Sequence, residues 1–98
     1  MNTAHTRPLA VVTGASSGIG RELAKQFASN GFDLVVTAED AELTQATHEL
    51  EGLGTRVESL QVDLARPEGV EELTSFIAAR ARPVDALALN AGVGAAGN

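Results

Sequence analysis

Four short apolar runs alternating with three helix-patterned stretches predict an α/β protein, a doubly wound parallel sheet in the order 3-2-1-4 with three helices on its two faces. Three observations carry that reading. The runs are too short to be helices, and Leu9-Ala10-Val11-Val12 and Leu34-Val35-Val36-Thr37-Ala38 are near-continuous apolar stretches with β-branched residues, as strands covered on both faces are. Apolar residues between them recur at offsets of three and four. Polar or small residues follow each run, at Thr13-Gly14, Ala38-Glu39, Asp63 and Asn90. In a sheet of this topology those positions share the carboxyl edge, where ligands bind.

Taken in order, Met1 to Arg7 is polar and is expected to be a flexible N-terminus. Leu9-Ala10-Val11-Val12 is the first strand. Arg21 to Ser29 carries the first helix, with Ile19, Leu23, Ala24 and Phe27 as its apolar face, and Asn30-Gly31 closes it. Leu34 to Ala38 is the second strand. Asp40 suits the cap of a second helix whose buried face is Leu43, Ala46, Thr47, Leu50 and Leu53, ended by Gly52 and Gly54. Arg56 to Val62 is the third strand, with Asp63 at its tip. Pro67 fits the first turn of a third helix, striped by Val70, Leu73, Phe76, Ile77 and Arg80 and broken at Arg82-Pro83. Ala86 to Asn90 is the fourth strand, and 92–98 reads as a Gly/Ala-rich loop.

Bulk composition narrows the function classes. The chain has 98 residues, 44% hydrophobic and 20% charged, which suits one small globular domain. A formal net charge of −6, with seven scattered Lys and Arg, argues against a nucleic-acid partner. No run is long enough to cross a membrane or serve as a signal-peptide core, so a cytoplasmic protein is expected. The absence of cysteine removes disulfides, thiol catalysis and cysteine-based zinc sites. His5 and His48 have no partners at metal-ligand spacing, so no metal site is expected.

The chemistry concentrates in Thr13-Gly14-Ala15-Ser16-Ser17-Gly18-Ile19-Gly20. A strand, a loop with three glycines and a helix start make a phosphate-binding turn. The glycines let the backbone bend and let a ligand approach where a Cβ would collide. The helix start offers unpaired N–H groups and a positive dipole end, worth roughly 0.3–1 kcal/mol per favourable charge and up to ~2 kcal/mol when partly buried. Ser16 and Ser17 can add hydroxyl donors. A plain strand-to-helix turn is the alternative, but it would need fewer glycines.

This Thr-Gly-x-x-x-Gly-x-Gly loop, with Asp63-Leu64 and Asn90-Ala91-Gly92 after it in order, resembles the short-chain dehydrogenase/reductase family. The resemblance implies a Rossmann-type NAD(P)-binding domain, here a truncated one spanning 1–98. It places the cofactor pyrophosphate on Ser16, Ser17, Gly18, Ile19 and the helix start, with Gly14 and Gly20 shaping the bend and Thr13 holding the loop through its hydroxyl. It gives Asp63 to the adenine amino group and Leu64 to the ring pocket, although Asp63 could instead cap the segment after its strand. Asn90-Ala91-Gly92 would steady the central sheet and leave room beside the nicotinamide ribose. Glu39, just past the second strand, stands where an acid reads the ribose 2′-hydroxyl, which favours NAD over NADP. The acid of NAD-preferring members usually comes one position earlier, where this chain has Ala38, so Glu39 could also point to solvent.

The same resemblance implies a catalytic tyrosine with a lysine four positions later. This sequence has no tyrosine, and its one lysine, Lys25, falls in the first helix. No catalytic residue is therefore expected, and the chain reads as the N-terminal cofactor-binding piece of a longer oxidoreductase acting on an alcohol or ketone. A fourth strand without a neighbour would half-expose Leu87 and Leu89, costing roughly 1.5–3 kcal/mol and leaving a marginal or partner-dependent fold. That edge suggests an alternative, a nucleotide-binding interaction module that self-associates or pairs with another chain. A remoter alternative is a serine hydrolase, because Gly14-Ala15-Ser16-Ser17-Gly18 also fits a nucleophile elbow with Ser16 as nucleophile and Asp40 and His48 following. His48 lies inside a helix, away from the strand tips, which speaks against it.

Overall fold

The computed structural model describes residues 7–90. Ala91 and Gly92, together with 1–6 and 93–98, lie outside the described residues, and with them most of the expected N-terminal flexibility and the expected terminal loop. The elements alternate as β1 (Leu9–Val12), α1 (Gly18–Ser29), β2 (Asp33–Ala38), α2 (Glu42–Glu51), β3 (Val57–Gln61), α3 (Pro67–Arg80) and β4 (Ala86–Ala88). All strand pairs are parallel and the order is β3-β2-β1-β4. Leu9 is in register with Asp33, Ala10 with Ala86, and Leu34 with Val57.

β1 and β2 are buried along their whole length because both faces of the sheet are covered. On one face Ala10, Val12, Leu34, Val36 and Ala38 pack with Ala24 and Ala28 of α1 and with Leu43 and Leu50 of α2. On the other, Leu9, Val11 and Val35 pack against Leu73 of α3, with Leu60, Leu64, Phe76 and Ile77 partly buried around them. Phe27 and Phe32 meet edge-to-face, with centroids 4.9 Å apart, where the chain leaves α1 for β2.

The inward face of α1 matches its periodicity at Ala24 and Phe27 but not at Ile19 and Leu23. Gly20, Ala24 and Ala28 are buried, whereas Ile19 is 72% and Leu23 37% exposed. Close approach explains the exchange: a Cβ on Gly20 would stand 2.0 Å from the Gly14 carbonyl oxygen. A helix lying so near the sheet must turn its smallest residues inward and its branched ones aside.

Smaller departures have local causes. α2 ends at Glu51, so Leu53 falls in the following turn and is half exposed, while Leu43, Ala46, Thr47 and Leu50 are buried as the pattern predicts. Val70 sits on the outer side of α3, because Gly69 is the buried residue there, resting on the Asp63 carbonyl and Val62. β4 stops at Ala88 rather than Asn90, since the Asn90 N–H donates to the Thr13 hydroxyl (2.8 Å) and leaves the backbone ladder.

At the amino edge of the sheet, opposite the candidate site, Asp33 is nearly buried between two arginines. Arg7 Nε lies 3.2 Å from one of its carboxylate oxygens, and Arg82 donates to the other at 3.1 Å. Asp85 closes the same edge, its carboxylate accepting the Leu9 N–H at 2.9 Å and its own N–H donating to the Leu9 carbonyl at 2.8 Å. These contacts fix where the strands start, and hence where their tips fall.

Candidate functional site

At the carboxyl edge the chain leaves β1 through Thr13, whose N–H still pairs with the Ala88 carbonyl at 3.0 Å. Gly14 then turns with φ +63° and Gly18 with φ +60°, a conformation other residues adopt only with strain. Between them Ala15 donates to the Thr37 carbonyl at 2.9 Å, tying the loop across to β2. Ser17 is extended, and α1 begins at Gly18. Arg21 N–H to the Ser17 carbonyl, 3.3 Å, is an early bond of the helix, and the amides of Gly18, Ile19 and Gly20 ahead of it have no backbone acceptor among the described residues. Ser17, Gly18 and Ile19 are exposed, and nothing lies within 4 Å of where a Gly18 Cβ would be. Among the described residues the helix start at Gly18 and Ile19 therefore faces open space, while Gly20 is buried.

Asn90 braces this bend from β4. Its N–H donates to Thr13 Oγ1 (2.8 Å), the Thr13 hydroxyl reaches the Asn90 carbonyl (3.4 Å), and Asn90 Nδ2 donates to the Gly14 carbonyl (3.3 Å). A Cβ on Gly14 would come 2.6 Å from the Asn90 carbonyl oxygen. Thr13 thus holds the loop through its hydroxyl, and the Asn90 side chain serves the scaffold.

Ser16 and the two acids after β2 are arranged less predictably. Ser16, 5% exposed, donates its hydroxyl proton to Asp40 Oδ2 at 3.0 Å. Asp40 Oδ1 accepts the Glu42 N–H at 3.1 Å, but the N-cap of α2 is Ala41 rather than the expected Asp40, which stands one residue earlier and clasps the glycine loop as well. That second task was not evident from the sequence; an aspartate just past β2 facing a loop serine was the available signal. Glu39 is exposed, and its carbonyl accepts Gln61 Nε2 at 3.1 Å. Among the described residues no histidine bonds Ser16, and His48 is exposed on α2.

Asp63, at the tip of β3, accepts the Ala65 N–H on Oδ1 at 2.9 Å, the local capping role foreseen as its alternative. Leu64 is partly buried and packs into the core layer under α3. Arg21, one turn into α1, is bonded through Nε to Glu49 of α2 at 3.0 Å. That bond raises the guanidinium pKa and lowers that of the Glu49 carboxyl. An open groove runs along the flank of α1 past Ile19, Leu23 and Lys25, lined by residues of that helix alone. Among the described residues no three His, Asp or Glu side chains converge as metal ligands.

With this geometry in place, a family comparison decides the kinship. The family model for short chain dehydrogenase matches residues 8–98. The chain belongs to that family. The oxidoreductase YmfI of Bacillus subtilis is 36% identical over 86 residues, covering 85% of this chain and 34% of the relative. Short-chain dehydrogenase/reductase 1 of Saponaria officinalis is 38% identical over 88 residues, covering 86% and 29%. The L-sorbose reductase of Gluconobacter frateurii, solved with NADPH and L-sorbose, superposes with a TM-score of 0.84 at 38% identity, over 92% of this chain and 35% of that one. The 3-oxoacyl-[acyl-carrier protein] reductase of Brucella melitensis, solved with NAD, gives 0.78 at 40% identity, over 93% and 36%. This short-chain dehydrogenase chain spans about a third of the length of these relatives.

Proposed function

We propose that this chain holds a nicotinamide dinucleotide, NAD in preference to NADP, as the cofactor-binding part of an oxidoreductase acting on an alcohol or ketone. The observation that carries this reading is the open start of α1, where the amides of Gly18, Ile19 and Gly20, without backbone acceptors among the described residues, follow a glycine bend braced by Thr13 and Asn90. Such a start suits a diphosphate, because the donors and the positive end of the helix dipole point the same way. Its similarity to one reductase solved with NADPH and another solved with NAD supports the same class of ligand.

In this reading Ser17 adds an exposed hydroxyl to the diphosphate site, and the side chain of Ile19 lies beside it. Asp63 offers its second carboxylate oxygen to the adenine amino group, Leu64 borders the ring, and the small residues of Ala91-Gly92 suit the neighbourhood of the nicotinamide ribose. The acidic pair Glu39-Asp40 after β2 favours a 2′-hydroxyl over a 2′-phosphate. When bound, the cofactor supplies or accepts hydride. The residues of this chain hold and orient it, and none is assigned a proton-transfer role, since the sequence has no tyrosine and its one lysine, Lys25, sits in α1. Calorimetric titration with NADH tests the reading: saturable binding displaced by ADP is expected, and no heat of binding at millimolar NADH contradicts it.

A second reading concerns the edge of the sheet. Among the described residues β4 has a neighbour on one side only, and Leu87 within it and Leu89 just after it are 58% and 71% exposed. These features favour pairing of this edge with another strand. Sedimentation velocity across a hundredfold range of concentration should then show association, and a monomer throughout rules out self-pairing.

A further inference from the structure

We propose that Asn30-Gly31 is a modification site of this chain, where the asparagine converts to aspartate or isoaspartate whenever the end of α1 opens. The dipeptide occurs once in the sequence, and Asn30 is exposed. The chemistry needs only these two residues and water. The Gly31 backbone nitrogen attacks Cγ of Asn30; an N–Cγ bond forms, the Cγ–Nδ2 bond breaks, and Nδ2 leaves as ammonia with the Gly31 amide proton. Water then opens the cyclic imide. Addition at Cγ gives aspartate, and addition at the main-chain carbonyl gives isoaspartate, with the backbone rerouted through the side chain. Glycine suits the attacking position because no Cβ hinders its nitrogen, and nothing lies within 4 Å of where one would be.

The folded chain holds both reacting groups back. Asn30 is the C-cap of α1, and Gly31 follows it with φ +86°. The Gly31 N–H donates to the Ala28 carbonyl at 3.2 Å and the Phe32 N–H to the Phe27 carbonyl at 3.0 Å, the paired bonds that close a helix on a left-handed glycine. The apolar contact that accompanies such an ending is present too, since Phe27 and Phe32 meet edge-to-face. Asn30 Nδ2, the leaving group, donates to the Gln26 carbonyl at 2.7 Å. Attack requires the Gly31 N–H to lose its acceptor and the Asn30 side chain to leave Gln26. The native rate is therefore the unfolded-chain rate multiplied by the fraction of molecules whose helix end is open. Aspartate, once formed, cannot donate to the Gln26 carbonyl and sets a charge at the negative end of the helix dipole, so modification loosens the ending that had delayed it.

The test is peptide mapping by mass spectrometry on the full chain, aged at mildly alkaline pH in buffer and in urea. Native ageing should place a gain of one mass unit, with isoaspartate, at Asn30, at a rate at least about tenfold below that in urea. The amide-exchange protection of Gly31 should equal that retardation, and Asn30→Asp should lower it about two- to fivefold. Phe32→Leu leaves both reacting groups and loosens only the closing contact. It should speed the native reaction about two- to tenfold, the worth of an aromatic pair. If circular dichroism shows Phe32→Leu unfolded, the match between retardation and Gly31 protection carries the test. Asn30→Gln should abolish the gain, since its longer side chain must close a larger ring. Equal rates in buffer and urea, a native gain at other asparagines but none at Asn30, or a retardation unrelated to Gly31 protection overturns the inference.

Discussion

A Cβ on Gly20 would lie 2.0 Å from the carbonyl oxygen of Gly14, so the first turn of α1 rests directly on the loop that leads into it. Backbone carbonyls cannot step aside as a side-chain tip can. Gly20→Ala is expected to cost at least about 1–3 kcal/mol, the usual penalty for overpacking. Urea unfolding followed by circular dichroism measures it, since the chain has neither tryptophan nor tyrosine to report by fluorescence.

Thr13 and Asn90 close the site through a buried hydroxyl. Thr13→Val removes the acceptor of the Asn90 N–H, a 2.8 Å bond at a residue only 3% exposed. A loss of about 1–3 kcal/mol is expected, the cost of leaving a buried donor unmade. Amide exchange at Asn90 should accelerate more than exchange within β2.

Thr37 runs the other way. Its hydroxyl is fully buried and has no hydrogen-bond partner among the described residues. Thr37→Val keeps the shape and removes that desolvated group, so stability should rise by about 1 kcal/mol. The same urea titration reads the sign.

The Arg21–Glu49 pair gives a pH dependence of known direction. Its hydrogen bond, more than its simple Coulomb attraction, holds the Glu49 carboxyl below the ordinary value of 4.5. The unfolded chain takes up this proton more readily than the folded one. The pair's contribution is thus complete above about pH 4.5 and is lost as pH falls through the lower folded value. Glu49→Gln should be less stable than the native chain near neutrality, by a small amount that added salt reduces, and the gap should close in acid.

The strand order and the carboxyl-edge position of Thr13, Asp63 and Asn90 were legible in the sequence because alternation of strand and helix dictates them. β1 and α3 fall where their patterns place them. What periodicity could not show was which residue leads the inward face of α1. Ala24 and Phe27 pack inward as the pattern suggests. Ile19 outweighs Gly20 on any hydropathy count, yet the first turn of α1 rests so near the Gly14 carbonyl that only a glycine fits there. The Ser16–Asp40 bond escaped for a related reason. It joins positions 24 apart in sequence, and only the parallel pairing of β1 with β2 brings their tips together.

The central claim is that the bend after β1 holds a dinucleotide diphosphate, and amide-resolved NMR during an NADH titration tests it most directly. Saturable shifts are expected, largest at the Gly18, Ile19 and Gly20 amides, with smaller ones at Thr13 and Asn90. Saturation that leaves those three amides unmoved while shifting residues elsewhere, or no saturation at all, would contradict it.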